Sequence, residues 1–114
     1  MHELSIALSI VDVAEEEMRK NGGTQVTAVH LKLGVLSGVV REALLSAYGL
    51  ATEGTALAGS SLVIEDLPVI AHCAKCDAPR AINSIDWFIC PECQSPISDV
   101  LQGREMQVVA MEIQ

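Results

Sequence analysis

The chain has 114 residues, half of them hydrophobic, which is enough to bury a core in one domain with a small appendage. Its net charge of -8 argues against nucleic acid, whose affinity rests on Lys and Arg meeting phosphates. No apolar run approaches the roughly 20 residues that span a bilayer, and "MHELSIALSI" lacks the basic start of a secretory signal, so the expected compartment is the cytoplasm, with neither nucleic acid nor membrane as partner.

Residues 4–20 predict an amphipathic helix. Leu4, Leu8, Val11 and Met18 recur at helical spacing, Ala7 and Ala14 fill the same face, and Ile6, Ile10 and Val13 widen it. Arg19 and Lys20 suit the negative end of the helix dipole, and Asn21-Gly22-Gly23 stops the helix. "QVTAVHLKLGVL" then sets Val29, Leu31 and Leu33 against Ala28, His30 and Lys32, the alternation of a half-buried strand. A second helix is expected from about Val40 to Thr52, on Leu44, Leu45, Tyr48 and Ala51, with no strong N-cap. "SSLVIEDLPVIA" reads as a strand leading into Cys73, and "REMQVVAMEIQ" as the last strand. The expected fold is α+β: a small mixed sheet of about three strands with two helices, plus an inserted zinc-ribbon-like module. Residues 1–70 and 104–114 form the α/β domain, and 71–103 form the insertion.

The four cysteines fall in two knuckles, Cys73/Cys76 in "CAKC" and Cys90/Cys93 in "CPEC", separated by the thirteen residues from Asp77 to Ile89. In a reducing compartment this spacing favours one shared metal over disulfides. Four thiolates closing a tetrahedron suit structural Zn(II), and the segment between the knuckles is too short to supply its own core. Trp87 and Phe88 are its bulky aromatics and are expected beside the site. "CPEC" also resembles a rubredoxin knuckle, so iron is weighed against zinc, but the loop is short and the aromatic shell thin. A redox CxxC fits two adjacent motifs poorly. A nucleic-acid ribbon is disfavoured because Lys75, Arg80 and Arg104 are outnumbered by Asp77, Asp86, Glu92 and Asp99. His72 abuts Cys73. It reads either as a half-exposed neighbour or as a group in the outer sphere of the zinc, or an alternative ligand to it. His30 reads as an ordinary polar-face residue. A four-cysteine site leaves no open coordination position, and no nucleophile–base pair is evident, which argues against an enzyme.

The start, Met1-His2-Glu3, offers a second metal chemistry. A bulky His2 should preserve Met1. The Met1 amine and the His2 amide nitrogen close a five-membered chelate ring, and the same amide with the imidazole closes a six-membered one. The Glu3 amide or carboxylate can complete four positions. Nitrogen-rich, square-planar coordination selects Ni(II) or Cu(II). Amide nitrogens must lose protons to bind, so affinity should rise with pH.

"MHELSIALSIV", "LGVLSGV", the CxxC…"CPEC" pair and "QGREMQV" occur together and in order, and the whole chain thereby resembles the HypA/HybF family of hydrogenase nickel-insertion proteins. The resemblance implies a nickel metallochaperone that binds Ni(II) as cargo through Met1, His2 and Glu3, and holds structural Zn(II) on Cys73, Cys76, Cys90 and Cys93. The partners it implies are a HypB-type nickel GTPase and the [NiFe]-hydrogenase large subunit, with urease maturation proteins for some members. Two features depart from the family pattern. Asp77 and Gln94 stand where knuckles of the family often carry Gly, and Val35 stands where an acid is common. The competing reading is a zinc-ribbon adaptor without a nickel-carrying role.

Overall fold

The computed structural model describes residues 2–82 and 88–114; Met1 and Trp87 therefore lie outside the described residues. Two compact units emerge. One comprises Met1–Leu31, Gly38–Glu65 and Gln107–Gln114, the other Lys32–Ser37 and Asp66–Met106.

Helix α1 (Glu3–Lys20) buries Ala7, Ile10, Val11, Ala14 and Met18. The buried stripe is rotated from the predicted one, since Leu4, Leu8 and Val13 are about half exposed. Continued along the helix, the Leu4–Leu8 row meets Asp12, Glu15 and Glu16. The Ala7-centred row stays apolar to the last turn, and it is the row that can remain buried throughout. The helix ends in a full Schellman motif. Gly22 is left-handed (φ 70°), its N–H donates to the Arg19 carbonyl at 3.2 Å, and the Gly23 N–H donates to the Met18 carbonyl at 2.9 Å.

Strand β1 (Val26–Gly34) buries Val29, Leu31 and Leu33 as expected, and Val26 and Ala28 as well. A 3-10 turn (Val35–Ser37) then leads to α2 (Arg41–Ala51), which packs against α1 through a buried set of Leu44, Ala47, Tyr48 and Ala51. Leu45 is exposed. Tyr48 keeps its hydroxyl partnered, 2.7 Å from the Ser60 Oγ, while burial pushes its phenol above the ordinary range. The α2 N-terminus has no side-chain cap of its own; the Val40 N–H donates instead to the Glu3 carboxylate at 3.3 Å.

The predicted strand from Ser60 to Ala71 divides in two. β2 (Ser61–Leu67) belongs to a sheet of order β2-β1-β6, and β3 (Ile70–Cys73) to a sheet of order β4-β3-β5. Pro68 sits at the break, where its missing N–H cannot continue a ladder. The second sheet adds β4 (Ala78–Ala81) and β5 (Asp99–Gln102), both antiparallel to β3. β6 (Met106–Ile113) returns antiparallel to β1: Gln114 bonds Gln25 at one end, and the Gly34 N–H donates to the Glu105 carbonyl at 2.8 Å at the other. Gly34 is obligatory there, because a Cβ would lie 2.1 Å from the Gly103 carbonyl oxygen.

The second unit has a small core. Among the described residues, Val69, Ala71, Ile82 and Ile97 form a buried cluster with Cys73 and Cys90, with Leu36, Phe88 and Val100 packed on them in part.

Candidate metal centre

The two knuckles are built alike. Cys73 ends β3 and faces Ala78 across a loop of four residues, 74–77. The Cys90 N–H donates to the Ser95 carbonyl at 2.9 Å across another loop of four, 91–94. In each, the first cysteine is fully buried, Cys73 at the end of β3 and Cys90 next to the isolated bridge between Ile89 and Pro96, and the second, Cys76 or Cys93, is the third loop residue and is half-buried. The fourth loop residue is left-handed in both: Asp77 has φ 51° and Gln94 φ 59°. That conformation turns the chain back so that a CxxC pair presents both sulfurs to one point. The Cys76 N–H donates to Cys73 Sγ at 3.4 Å, which fixes the first of these turns.

All four Sγ atoms lie within 4.8 Å of one another, and they are the cluster of metal-ligating side chains found among the described residues. Cys73 and Cys93 approach to 3.6 Å, and Cys76 and Cys90 to 3.9 Å. A disulfide needs about 2.05 Å. A tetrahedron with metal–sulfur bonds of about 2.3 Å has edges of about 3.8 Å, so the sulfur positions fit a zinc tetrathiolate. Protons are shared unequally among the thiols. The Ser95 hydroxyl and amide hold Cys93 down at about 6, whereas hydrogen bonding to Cys93 pushes Cys76 up to about 11. Burial pushes Cys90 up, but the backbone N–H groups of Cys93 and Glu92 hold it below the ordinary thiol value.

His72 lies between the buried Ala71 and Cys73 on β3, so strand alternation turns its ring away from the sulfurs. Its Nε2 lies 3.2 Å from the Asp77 carboxylate. Phe88 is packed against the cluster. His30 Nε2 lies 3.1 Å from the Glu112 carboxylate, on an exposed face.

The departures at Asp77 and Gln94 have a measurable consequence. A left-handed residue other than Gly costs about 1–2 kcal/mol, and Gly returns about 0.5–1 of that through its looser unfolded chain. Gln94→Gly should therefore raise the stability of the zinc-loaded protein by about 0.5–1 kcal/mol, seen as a melting temperature higher by a few degrees. Asp77→Gly should be neutral within about 0.5 kcal/mol, because Asp tolerates the conformation and its carboxylate is bonded to His72.

His2 stands at the N-cap of α1 with an exposed side chain, and its carbonyl accepts the Ile6 N–H at 3.0 Å. The amide N–H groups of His2 and Glu3 are among those at a helix start that have no acceptor within the helix. Losing those protons to a metal would break no helical hydrogen bond. The Glu3 carboxylate accepts the Val40 N–H through Oε2 at 3.3 Å.

The model of the family described as "Hydrogenase/urease nickel incorporation, metallochaperone, hypA" matches residues 1–113. The hydrogenase maturation factor HypA of Roseiflexus sp. (strain RS-1) is 46% identical over 112 residues, which cover 98% of this chain and 91% of that protein. The corresponding factor of Chloroflexus aurantiacus (strain ATCC 29366 / DSM 635 / J-10-fl) is 43% identical, with 98% of each covered. The solution structure of the Ni metallochaperone HypA from Helicobacter pylori superposes with a TM-score of 0.67 at 27% identity, covering 99% of this chain and 97% of that one.

Proposed function

The chain belongs to the HypA family of metallochaperones, which incorporate nickel in hydrogenase maturation and are not enzymes, and from that premise we infer that it carries Ni(II) at its N-terminus and holds Zn(II) on its four cysteines. Met1 would supply the terminal amine, His2 its amide and imidazole nitrogens, and Glu3 its amide. The observation that carries this reading is the position of His2 at the open start of α1. There an exposed imidazole adjoins amides that the helix does not use. Such a chelate can be dismantled by a small rotation of the first residues, as a carrier requires when it hands its ion to a partner by ligand exchange.

Zinc, when bound to Cys73, Cys76, Cys90 and Cys93, ties together two hairpin loops that share little core, and so fixes the shape of the second unit. The hydrogenase maturation role of the family supports a HypB-type GTPase and the [NiFe]-hydrogenase large subunit as partners, in the cytoplasm, with urease maturation proteins as a further set. No helix among the described residues is long and apolar enough to cross a membrane.

Glu3 separates amide from carboxylate ligation. Glu3→Gln keeps an oxygen acceptor for the Val40 N–H and leaves the backbone nitrogen untouched, so nickel stoichiometry and affinity should be unchanged within about twofold. Glu3→Ala removes the acceptor at the start of α2 and should cost about 0.5–1 kcal/mol of thermal stability, the worth of a half-exposed helix cap. Loss of nickel in Glu3→Gln, measured by titration calorimetry, would make the carboxylate a ligand.

A further inference from the structure

Arg80 is a cation that the fold carries onto the face of the thiolates. It lies on β4 directly opposite Ala71 of β3, and cross-strand partners share a face of the sheet. Ala71 and Cys73, two residues apart on β3, point to that same buried face. The register therefore delivers the Arg80 side chain to the side where the sulfurs converge. Of its nitrogens, Nη1 donates to the Pro79 carbonyl at 3.2 Å, while Nε is buried and has no hydrogen-bond partner among the described residues. The guanidinium lies within hydrogen-bonding reach of the Cys76 and Cys90 sulfurs.

A divalent ion on four thiolates leaves two negative charges on the sulfurs, which makes them nucleophilic toward alkylating agents and open to attack by a competing chelator. A nearby guanidinium withdraws electron density through N–H···S bonds and offsets one of those charges. Resting on the reading that these cysteines hold zinc, we propose that Arg80 is the counter-cation of the zinc tetrathiolate, and that it makes the site inert by lowering the reactivity of Cys76 and Cys90. The neighbouring carboxylates of Asp77 and Glu92 supply charge of the wrong sign for that task. In a protein whose cargo is another divalent metal, an inert zinc site keeps the two ions from exchanging places.

The test uses the full chain loaded with zinc, wild type beside Arg80→Gln and Arg80→Lys. Zinc content is measured first, then the rate of zinc transfer to a colorimetric chelator at fixed pH, and the rate of alkylation of each cysteine by N-ethylmaleimide, read by peptide mass. Arg80→Gln should hold one zinc yet lose it, and become alkylated at Cys76 and Cys90, about tenfold faster, the scale of one charge-assisted hydrogen bond discounted for partial exposure. Arg80→Lys should remain within about threefold of wild type. Arg80→Met takes the place of Arg80→Gln if the latter does not fold. Rates equal to wild type in the neutral variants, or Arg80→Lys as fast as Arg80→Gln, would overturn the role of charge. Wild-type protein without stoichiometric zinc would instead overturn the zinc reading on which the proposal rests.

Discussion

His2→Ala is expected to lower nickel affinity by more than about a hundredfold while leaving one zinc bound. Even groups that merely orient a metal ligand are worth about ten- to a hundredfold in affinity, and His2→Ala removes the imidazole ligand itself together with the six-membered chelate ring it closes. An extension of several residues ahead of Met1 should also weaken nickel binding, because it turns the terminal amine into an amide that must lose a proton before it can ligate. Neither change touches the buried face of α1, since the His2 side chain is exposed and the first fully buried position is Ala7. Melting temperature and circular dichroism should therefore stay as in wild type. Affinity in the unmodified protein should rise with pH, since nickel displaces protons from the His2 and Glu3 amides. The measurement is nickel titration calorimetry on protein with a free N-terminus, with zinc counted by mass spectrometry. Stoichiometric nickel in both His2→Ala and the extended form would sink the terminal site, and hydrogenase maturation undiminished in both would favour a zinc-ribbon adaptor.

The parts of the fold that were legible in the sequence are those whose pattern is local. Asn21-Gly22-Gly23 announces a helix stop because only a left-handed residue can close the Schellman turn, and Gly22 does so. Two CxxC pairs announce a shared ion because the sulfurs of each pair must converge. What stayed hidden depends on contacts distant in sequence. The rotation of α1 that exposes Leu4 and Leu8 is decided by which row of side chains stays apolar as far as Met18. The division at Pro68 was readable in principle, since proline does not sit in the middle of a ladder, but the strong Val and Ile run on both sides masked it. The Glu3–Val40 bond spans 37 positions and has no sequence signature. Arg80 did have one. Counting outward from Cys73 across a four-residue loop pairs Ala71 with position 80 and puts that side chain on the sulfur face. By local charge alone it is only an outnumbered cation.

Stripping the zinc should unfold the second unit and spare the helices. The asymmetry follows from where the apolar mass lies. Both helices and the buried residues Ile10, Val11, Met18, Leu44 and Tyr48 belong to the first unit. The second unit buries Val69, Ala71, Ile82 and Ile97 around its two deep cysteines. Structural zinc on such ligands is worth about 10–16 kcal/mol at neutral pH, as much as the whole stability of an ordinary small domain. Removing it also leaves Cys73 and Cys90 buried without the charge that four converging thiolates need. Far-ultraviolet circular dichroism should accordingly keep its helical signal after chelation, while amides of β3, β4 and β5 lose their protection from hydrogen exchange. Cys73→Ser and Cys90→Ser should reproduce that state without a chelator. Zinc retention should fall as pH falls, because protons compete for the thiolates. Protection persisting in β3–β5 after the last zinc is gone would mean that the aliphatic side chains hold the unit alone, and that the metal there serves something other than the fold.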